Sequence, residues 1–530
     1  MVSTFHGLET SKRAILTNSI ALHTLGHNIS NASTLGYSRQ RVNLSTAIPV
    51  YAPGFTRPNT PGQIGTGVQY TSITRLRDSY LDLQFRRENQ NLGINSIYQS
   101  TMRSIEAIVN EPSTNGVSTV MNKFWDSLEV LNRDPNLLSA RVDFIGNAKN
   151  LADTFNHIGT SFTTLENDIN SNINIKLNEA NNIISDIAQM NEIIRKVESL
   201  GDHANDYKDQ RDLLIDNLSR IVDVQYAEDV NGMVSLYVGG AQVLNGAEPT
   251  ALTAADVTNI TSGEIAGYNK SLAEISLVRN QMNALVDTLV NGQIEVTMPN
   301  GYKTSTDMVA LNDVTGVDSS GNQVSYTAGT TIPADTKITS SVTFQVAGFN
   351  GLHKLGYSLN EPAETGINFF TTKDGSSPFT IDNIQVNLDI QADTNKVAAS
   401  GQFERDSNGD MIALKGNSDI ALALTSLRDV KFNFPSGMTA LSTGTTDDYF
   451  RAFVSDLGTR ASVANSKYKT SLDMVDGVEI RRQSTSGVAI DEELSDLIRF
   501  QHAYTAAARN MTVVDELLDK VINSMGLVGR

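Results

Sequence analysis

Cysteine is absent from this 530-residue sequence, so neither disulfide bonds nor thiolate chemistry can operate in it. Long apolar runs are absent as well, since even the apolar segment near the N-terminus is interrupted by Asn18, Ser19 and His23. A membrane helix needs roughly 20 largely apolar residues in succession. The N-terminal residues also lack the basic stretch, apolar run and small-residue cleavage site of a secretory signal. We therefore expect no membrane span and no cleaved signal peptide.

Basic residues are scarce relative to acidic ones, with 41 Lys and Arg against 59 Asp and Glu and a formal net charge of -18. A surface of this sign repels the phosphates of nucleic acids and of anionic lipids, so we expect neither nucleic acid nor membrane partners. Apolar residues make up 40% of the chain, which is enough for folded structure over most of its length. The length itself favours several domains.

Motifs for catalysis, metal binding or phosphate binding are missing or incomplete. His23 and His27 lie four residues apart, but Thr24 occupies the position at which a zinc protease of the HExxH type has its glutamate. Residues 406–410 resemble the opening of a calcium loop, yet Met411 replaces the glycine that this loop requires and no glutamate follows at its end, so a hairpin turn explains the run better. A Gly-x-Ser-x-Gly elbow and a Walker-type lysine loop are also missing. The sequence predicts no catalytic residue, no metal site and no cofactor.

Helical periodicity is clear at the N-terminal end of the chain. A seven-residue repeat of apolar residues predicts a helix over residues 1–30. Asparagine, serine and glycine then crowd together, which is typical of a helix end followed by a turn. The repeat consists of Leu8, Ile15, Leu22 and Ile29.

The strongest pattern in the chain lies at the C-terminal end, over residues 491–525. Apolar residues recur there at seven-residue spacing, with further apolar residues at the partner positions of the heptad. Three acidic residues occupy its first turn, where they favour the helix dipole. The predicted contact residues on this helix are Leu497, Phe500, Tyr504, Met511, Val514, Leu518, Val521 and Met525.

A helix with such an apolar face is not stable in isolation. Burying the C-terminal apolar residues would contribute roughly 10–20 kcal/mol, whereas ordering about 30 residues costs on the order of 30–60 kcal/mol. The terminal helices therefore need a covering surface. The pattern allows two such surfaces, namely the rest of the same chain and other copies of it.

Further helices are predicted between the two ends. Helical periodicity covers residues 78–109, 117–131 and 165–200, and a turn is expected at 132–135. A weaker helical pattern runs from 447 to 475. Long packed helices thus flank the middle of the chain.

The middle of the chain is rich in Thr, Ser, Gly and Asp. Alternating apolar residues predict a hairpin at 234–243, and short apolar runs predict strands at 342–346 and 384–390. A helical stretch at 272–290 interrupts this region. We expect a mostly β domain over this part of the sequence.

Together these patterns predict a multidomain α+β fold, in which long coiled-coil-like helices from both termini pair and a mostly β domain is inserted in the middle. The predicted domains are an N-terminal assembly helix at 1–35 pairing with 489–530, a helical bundle domain made of 36–220 and 446–488, and a mainly β outer domain at 221–445.

The turn after the first helix carries a recognisable motif. Residues 28–40, Asn-Ile-Ser-Asn-Ala-Ser-Thr-Leu-Gly-Tyr-Ser-Arg-Gln, resemble the signature shared by flagellar rod, hook and hook-associated proteins. The final Ser-Arg-Gln is similar to the hook-associated protein 1 family, and Leu35 stands where that family usually has proline. The signature residues on this side are Asn28, Asn31, Gly36, Tyr37, Arg39 and Gln40.

A second motif, within residues 486–509, resembles the same family. It runs from Ser486-Gly487-Val488 through Asp491-Glu492-Glu493-Leu494 to Phe500-Gln501-His502-Ala503-Tyr504 and Ala506-Ala507-Ala508-Arg509. The signature residues on this side are Gly487, Asp491, Glu492 and Gln501.

The middle of the chain departs from the family pattern. In relatives, the helix that corresponds to 272–290 usually continues directly to an Asn, His and Gly motif, which here corresponds to Asn350, His353 and Gly356. Residues 292–345 are therefore expected to be an inserted β segment.

The resemblance implies a structural subunit of the bacterial flagellum that joins hook to filament, lies outside the cell and is not an enzyme. The implied partners are copies of the chain in a ring, the hook protein, a second hook-filament junction protein, a dedicated export chaperone on the C-terminal helix, and the flagellar type III export apparatus. Two alternatives are another flagellar axial subunit, hook or distal rod, and a flagellar surface adhesin or enzyme acting through residues 291–440.

Overall fold

The computed structural model describes residues 5–50, 64–114, 116–435, 437 and 441–524. Long helices dominate this part of the chain. The α-helices are α1 (His6–Ser30), α2 (Ser79–Val109), α3 (Val117–Arg133), α4 (Leu138–Glu198), α5 (Asn205–Ile221), α6 (Gly263–Asn291), α7 (Gly348–Lys354), α8 (Leu388–Ala392), α9 (Asp419–Ser426), α10 (Thr446–Ser486) and α11 (Ile490–Asp519). A π-helical turn, Lys520–Ser524, continues α11.

The strands are short and pair antiparallel. They are β1 (Gln40–Thr46), β2 (Val68–Arg75), β3 (Val224–Glu228), β4 (Val234–Val238), β5 (Ala241–Asn245), β6 (Glu248–Pro249), β7 (Gln293–Met298), β8 (Met308–Val309), β9 (Val314–Val317), β10 (Gln323–Tyr326), β11 (Thr331–Ile332), β12 (Lys337–Ile338), β13 (Val342–Ala347), β14 (Phe370–Thr372), β15 (Ile384–Val386), β16 (Phe403–Arg405), β17 (Met411–Ala413), β18 (Phe432–Asn433) and β19 (Thr443–Gly444). The largest described sheet has four strands in the order β3-β4-β5-β6. The predicted α+β class is confirmed.

Sequence periodicity located most of the long helices correctly but missed α5 and the first part of α4. This helix has 61 residues and begins at Leu138, well before the predicted start at residue 165. Its exposed face carries Asn147, Thr154 and Thr160, residue types of low helix propensity. Each of them bonds the carbonyl four residues earlier, which accommodates these side chains within the helix. The opposite face is apolar and fully buried.

The strand prediction at 384–390 is wrong in its second half. Strand β15 ends at Val386, and the short helix α8 begins at Leu388. The side chain of Asn387 accepts a hydrogen bond from the backbone N–H of Asp389, which is the arrangement of a helix N-cap. An apolar run alone does not reveal such a cap. The predicted hairpin at 234–243 and the strand at 342–346 are confirmed as β4–β5 and β13.

The chain divides into two compact units. The first comprises residues 1–96, 173–269 and 467–530, and the second comprises residues 97–172 and 270–466. In the first unit, the sheet β3–β6 buries alternate residues of its strand β4, namely Val234, Leu236 and Val238. This alternation gives the sheet an apolar face and a polar face.

The core of the second unit is aromatic. Phe349 has ring centroids of four other phenylalanines around it, at 5.2–6.3 Å. These are Phe124, Phe144, Phe369 and Phe370. Trp125 is 1% exposed and packs edge-on against Phe124 at 5.0 Å. Such tilted and edge-on contacts suit the quadrupoles of aromatic rings.

The segment expected to be inserted, residues 292–345, begins and ends on paired strands. Strand β7 pairs with β13 over its whole length, from Gln293 opposite Ala347 to Met298 opposite Val342. The backbone N–H of Gly348 donates to the carbonyl of Gly292 at 2.7 Å. The segment therefore leaves α6 and returns to α7 at one place, as an insertion must, and its status as an insertion stays a prediction.

The Asn, His and Gly motif after this segment holds the core together. The side chain of Asn350 bonds both the carbonyl and the N–H of Phe370. His353 is completely buried, and its Nε2 accepts from the N–H of Ala398 at 2.9 Å. Its Nδ1 therefore carries the proton and donates to the carbonyl of Ile367 at 2.6 Å. The side chains of Asn350 and His353 thus bond backbone groups of three other residues in this core.

Burial lowers the pKa of His353 from 6.5 to about 4, and the nearby Arg141 acts in the same direction, although the bond to Ile367 opposes both. The folded state therefore binds this proton less readily than the unfolded state. The stability that the neutral imidazole confers is complete above pH 6.5 and falls between pH 6.5 and 4. We expect a loss of about 3 kcal/mol from this group over that range, measured by urea unfolding followed through Trp125 fluorescence.

The matched variants are His353→Gln, which removes the titration, and His157→Gln, which alters an exposed histidine of the same unit. His353→Gln should flatten the stability profile between pH 6.5 and 4.5, whereas His157→Gln should leave it unchanged. An unchanged profile in His353→Gln would show that another group controls the acid response.

Candidate functional site

The two terminal helices pack against each other, as the fold prediction required, and the structure shows that they are antiparallel. Three contacts along their length define the register. A Cβ at Gly7 would lie 3.2 Å from Cγ2 of Val514, Asn510 donates to the hydroxyl of Ser11 at 2.9 Å, and Asn28 donates to Glu493 at 2.8 Å. The two residue numbers add up to 521 in every pair, so the register is constant from one end of the contact to the other. We call this contact the terminal seam.

The terminal seam is built from small and polar residues. The register places Ala14 opposite Ala507 and Ala21 opposite Phe500. Ser11, Ala21 and Asn28 are buried on α1. Small side chains allow two helix backbones to approach closely, as the contact at Gly7 shows.

The apolar residues of the two sequence repeats lie mainly beside the terminal seam. Those of α1 are half-buried, namely Leu8, Ile15, Leu22 and Ile29. On α11, Phe500 and Val514 belong to the seam, and Tyr504 and Val521 are exposed. The remaining half-buried members are Leu497, Met511 and Leu518. Met525 lies outside the described residues.

Asn28 connects the end of α1 to three other segments. It is fully buried, and its Nδ2 donates to the carbonyl of Gln40 and to Glu493. Its Oδ1 accepts from the N–H of Gln40 at 3.0 Å and from the hydroxyl of Tyr37 at 2.8 Å. All four hydrogen-bonding positions of the amide are thus used. The turn, strand β1 and helix α11 all meet at this side chain.

Arg39 completes this arrangement with two carboxylates of α11. Its Nε lies 2.6 Å from Glu493 and its Nη1 lies 2.9 Å from Glu492. Glu493 is fully buried, so Asn28 and Arg39 must satisfy it. Burial raises the pKa of Tyr37, and the charges of Asp206, Asp209 and Glu493 raise it further. We call Asn28, Tyr37, Arg39, Gln40, Glu492 and Glu493 the clasp.

The remaining signature residues lie outside the clasp, where some of them shape the backbone and two are exposed. Gly36 has φ +80°, and a Cβ there would lie 3.1 Å from Leu213, so both backbone and space favour glycine. Asn31 bonds the carbonyl of His27 and ends α1. A Cβ at Gly487 would clash with a carbonyl of α10. The structure leaves two signature residues exposed on α11, Asp491 and Gln501.

Sequence reasoning missed a buried cluster of arginines and aspartates in the same unit. Arg86 donates to Asp216 at 2.6 Å and to Asp212 at 3.3 Å, and Arg75 bonds Asp209 at 2.7 Å and Asp212 at 2.9 Å. The other members are Arg77, Asp82 and Arg482. One signal was available, since Asp209, Asp212 and Asp216 recur at the spacing of one helix face.

The electrostatics of this cluster depend on the number of arginines around each carboxylate. Burial alone would raise the pKa of Asp212, but Arg77, Arg75 and Arg86 outweigh burial and hold its pKa well below the usual range. Asp209 differs, because burial outweighs Arg75 and raises its pKa. The cluster fixes α2 and α5 of this unit to strand β2 and to the end of α10.

A cleft of about 1060 Å³ lies beside the clasp, between the turn 32–39 and the connection 484–489. Charges of both signs line it and pair with each other, as Lys176 and Arg220 do with Glu264. The described residues contain no group of three or more His, Cys, Asp or Glu side chains placed to hold a metal ion. Within the same residues, every helix is too short or too polar to cross a membrane.

The terminal helix pair and the clasp lie in a part of the chain that is similar to flagellar structural proteins of the rod and hook type. A family model described as the flagellar basal body rod FlgEFG protein C-terminal matches residues 482–525, which include α11 and the carboxylates of the clasp. The model of the flagellar hook-associated protein FlgK helical domain matches residues 102–370.

Full-length relatives agree with these matches. The flagellar hook-associated protein 1 of Bacillus subtilis is 30% identical over 541 residues, which cover 100% of both chains. The protein of the same name from Salmonella typhimurium is 26% identical and covers 95% of this chain and 97% of its own. A solved structure, that of the flagellar hook junction protein FlgK from Burkholderia pseudomallei, covers 76% of this chain and 100% of its own with 14% identity and a TM-score of 0.46, and the family membership does not rest on it. The chain belongs to the flagellar hook-associated protein 1 family.

The family resemblance read from residues 28–40 and 486–509 is therefore confirmed. So is the predicted function as a structural subunit of the flagellum. The family also places the chain among the flagellar axial proteins, with which its members associate.

Proposed function

We propose that this chain joins hook to filament and that its subunits contact one another through the paired terminal helices. One observation supports this most directly. The terminal seam is formed mainly by small and polar residues, so most of the larger apolar residues of both repeats are only half-buried within the chain. An apolar strip that is only partly covered is typical of a surface that contacts another molecule.

The two sides of the terminal helix pair differ in how much of the chain covers them. On one side the β1–β2 hairpin covers α1, where Thr17 bonds the carbonyl of Val68 and Gly67 approaches Thr10. The apolar residues of each sequence repeat form a row along their helix. On α1 each of them follows a seam residue by one position, as Leu8 follows Gly7, and on α11 by four positions, as Leu518 follows Val514. In an antiparallel pair these two rows lie on the same side, away from the hairpin. Leu494 and Ile498 extend the exposed apolar surface of α11, at 46% and 54% exposure.

The expected partners follow from this surface and from the family. We propose that copies of the chain form a ring through the apolar rows, and that the hook protein and a second junction protein adjoin the ring. A dedicated chaperone would cover the C-terminal helix before export through the type III apparatus, which would place the protein outside the cell. A catalytic role is not proposed, because the buried ionisable groups described above all serve contacts within the fold.

A flagellated strain carrying Leu497→Glu, Met511→Glu and Leu518→Glu tests this function. We expect hooks without filaments and flagellin released into the medium, since three buried carboxylates would cost several kcal/mol at each subunit contact. Truncation of residues 495–530 should have the same effect. Electron microscopy counts the filaments, and immunoblots of the medium measure both flagellin and the exported variant.

The matched control carries Gln501→Glu, Thr505→Glu and Thr512→Glu, which add the same charge at exposed positions of α11. This control should assemble normal filaments. If the first variant were exported and its hooks still carried filaments, the proposed contact would be wrong. Loss of filaments in both variants would point to a general effect of charge.

A further inference from the structure

The terminal seam poses a question of specificity, because its heptad spacing is compatible with more than one register. Its apolar members repeat every seven residues on both helices, with Ala14 and Ala21 on α1 and Phe500, Ala507 and Val514 on α11. Coiled coils with such repetitive contacts are prone to shift by one heptad. Polar contacts between the helices can decide between such registers.

One shifted register again places apolar residues of the two helices opposite each other. If α11 moves by seven residues, about 10 Å, toward its connection with α10, Ala21 comes to lie opposite Ala507 and Ala14 opposite Val514. These pairs remain apolar, and Ala21 exchanges the large Phe500 for the smaller Ala507.

The polar residues of the seam do not fit the shifted register. Asn28 would face Phe500 and lose Glu493, which is one of the four partners of its buried amide. Ser11 would face Leu517 and lose Asn510. Each buried polar group left without a partner costs about 1–3 kcal/mol.

We propose that the pairs Ser11–Asn510 and Asn28–Glu493 determine the register of the terminal helix pair. They lie 17 residues apart on both helices, and the hydrogen bonds of both pairs connect α1 to α11. Single polar residues in apolar helix seams have this role in coiled coils generally. The inference concerns the free chain and does not depend on the flagellar role.

A third polar residue of the seam provides a matched comparison. Asn18 lies opposite Ala503 in the same register, but its Nδ2 donates to the carbonyl of Ala14 within α1. Its replacement by alanine therefore makes the seam more apolar without removing a bond between the helices. Asn18→Ala should leave the register unchanged.

The absence of cysteine in the native chain permits a direct test by disulfide trapping. One reporter combines Ala14→Cys with Ala507→Cys, which face each other in the observed register. A second combines Ala21→Cys with Ala507→Cys, which face each other only after the shift. Oxidation of the purified full-length chain, followed by peptide mapping, gives the rate of each disulfide.

With the polar pairs intact, and in Asn18→Ala, the first reporter should oxidise at least about tenfold faster than the second, as expected from two or more hydrogen bonds. In the combined variant Ser11→Ala, Asn510→Ala and Glu493→Ala, the second reporter should oxidise at a rate approaching that of the first. Alanine maintains helix propensity in all these replacements.

Three results would overturn the inference. The combined variant could retain the original preference, which would show that the connection or the packing sets the register. Asn18→Ala could shift the register as readily as the combined variant. Neither reporter could oxidise in the combined variant, which would show that the polar pairs are needed for helix pairing itself. Circular dichroism of each variant checks that its helices are intact.

Discussion

Replacement of Asp212 by alanine is expected to destabilise the first unit by about 3–5 kcal/mol. Its two carboxylate oxygens pair with Arg75 at 2.9 Å and with Arg86 at 3.3 Å, and Arg77 lies 3.5 Å away. Without this carboxylate, three arginines in a buried site would share the remaining aspartates. The removal of one partner from a buried ion-pair network leaves an uncompensated charge, which is the reason for so large a cost.

Hydrogen exchange measured on peptides from α5 gives the free energy of opening for this part of the unit. The matched control is Asp473→Ala, which removes an exposed aspartate of α10 in the same unit. The control should change the free energy by less than about 0.5 kcal/mol. Equal protection in both variants would mean that the cluster contributes no net stability.

Replacement of Phe349 by alanine is expected to destabilise the second unit by about 3–5 kcal/mol. This ring is fully buried and packs against four other phenylalanine rings, so its removal leaves a cavity that neighbouring side chains fill only in part. Urea unfolding followed through the single Trp125 reports on this core, because Trp125 lies in contact with Phe124.

Two further variants sharpen this second test. Phe349→Leu retains most of the apolar volume and should cost less than the alanine variant. Leu422→Ala truncates an apolar side chain that is 55% exposed in the same unit, and it should cost about 0.5 kcal/mol or less. A cost for Phe349→Ala no greater than that of Leu422→Ala would show that the aromatic core is loosely packed.

Several features of this fold could be predicted from the sequence because they depend on local patterns. The heptads of α1 and α11 and the turn after Arg133 depend on periodicity and on turn-forming residues close together in the chain. The hairpin β4–β5 could be predicted in the same way, from its alternating apolar residues. The N-terminal part of α4 was not, since Thr and Asn on its exposed face obscured a buried face that only the tertiary structure reveals.

The clasp was predicted in part. Asn28, Arg39 and Gln40 were identified through the family motif, but their convergence with Glu493 joins residues 465 positions apart. The network around Asp212 was not identified, because its bond to Arg86 spans 126 positions and no local pattern encodes such a pair. Contacts of this kind depend on how distant segments pack.

By itself, the sequence determined that the two ends are helical, that they pair, and to which family the chain belongs, because heptads and turn motifs are local and repetitive. Only the tertiary structure decided which face of each helix forms the seam. Apolar repeats predict that a helix will be covered, but close approach of two backbones favours glycine and alanine over the larger residues of the repeat. The seam therefore lies beside the apolar rows of Leu8 to Ile29 and Leu497 to Leu518, and most of these larger residues lie along its edge.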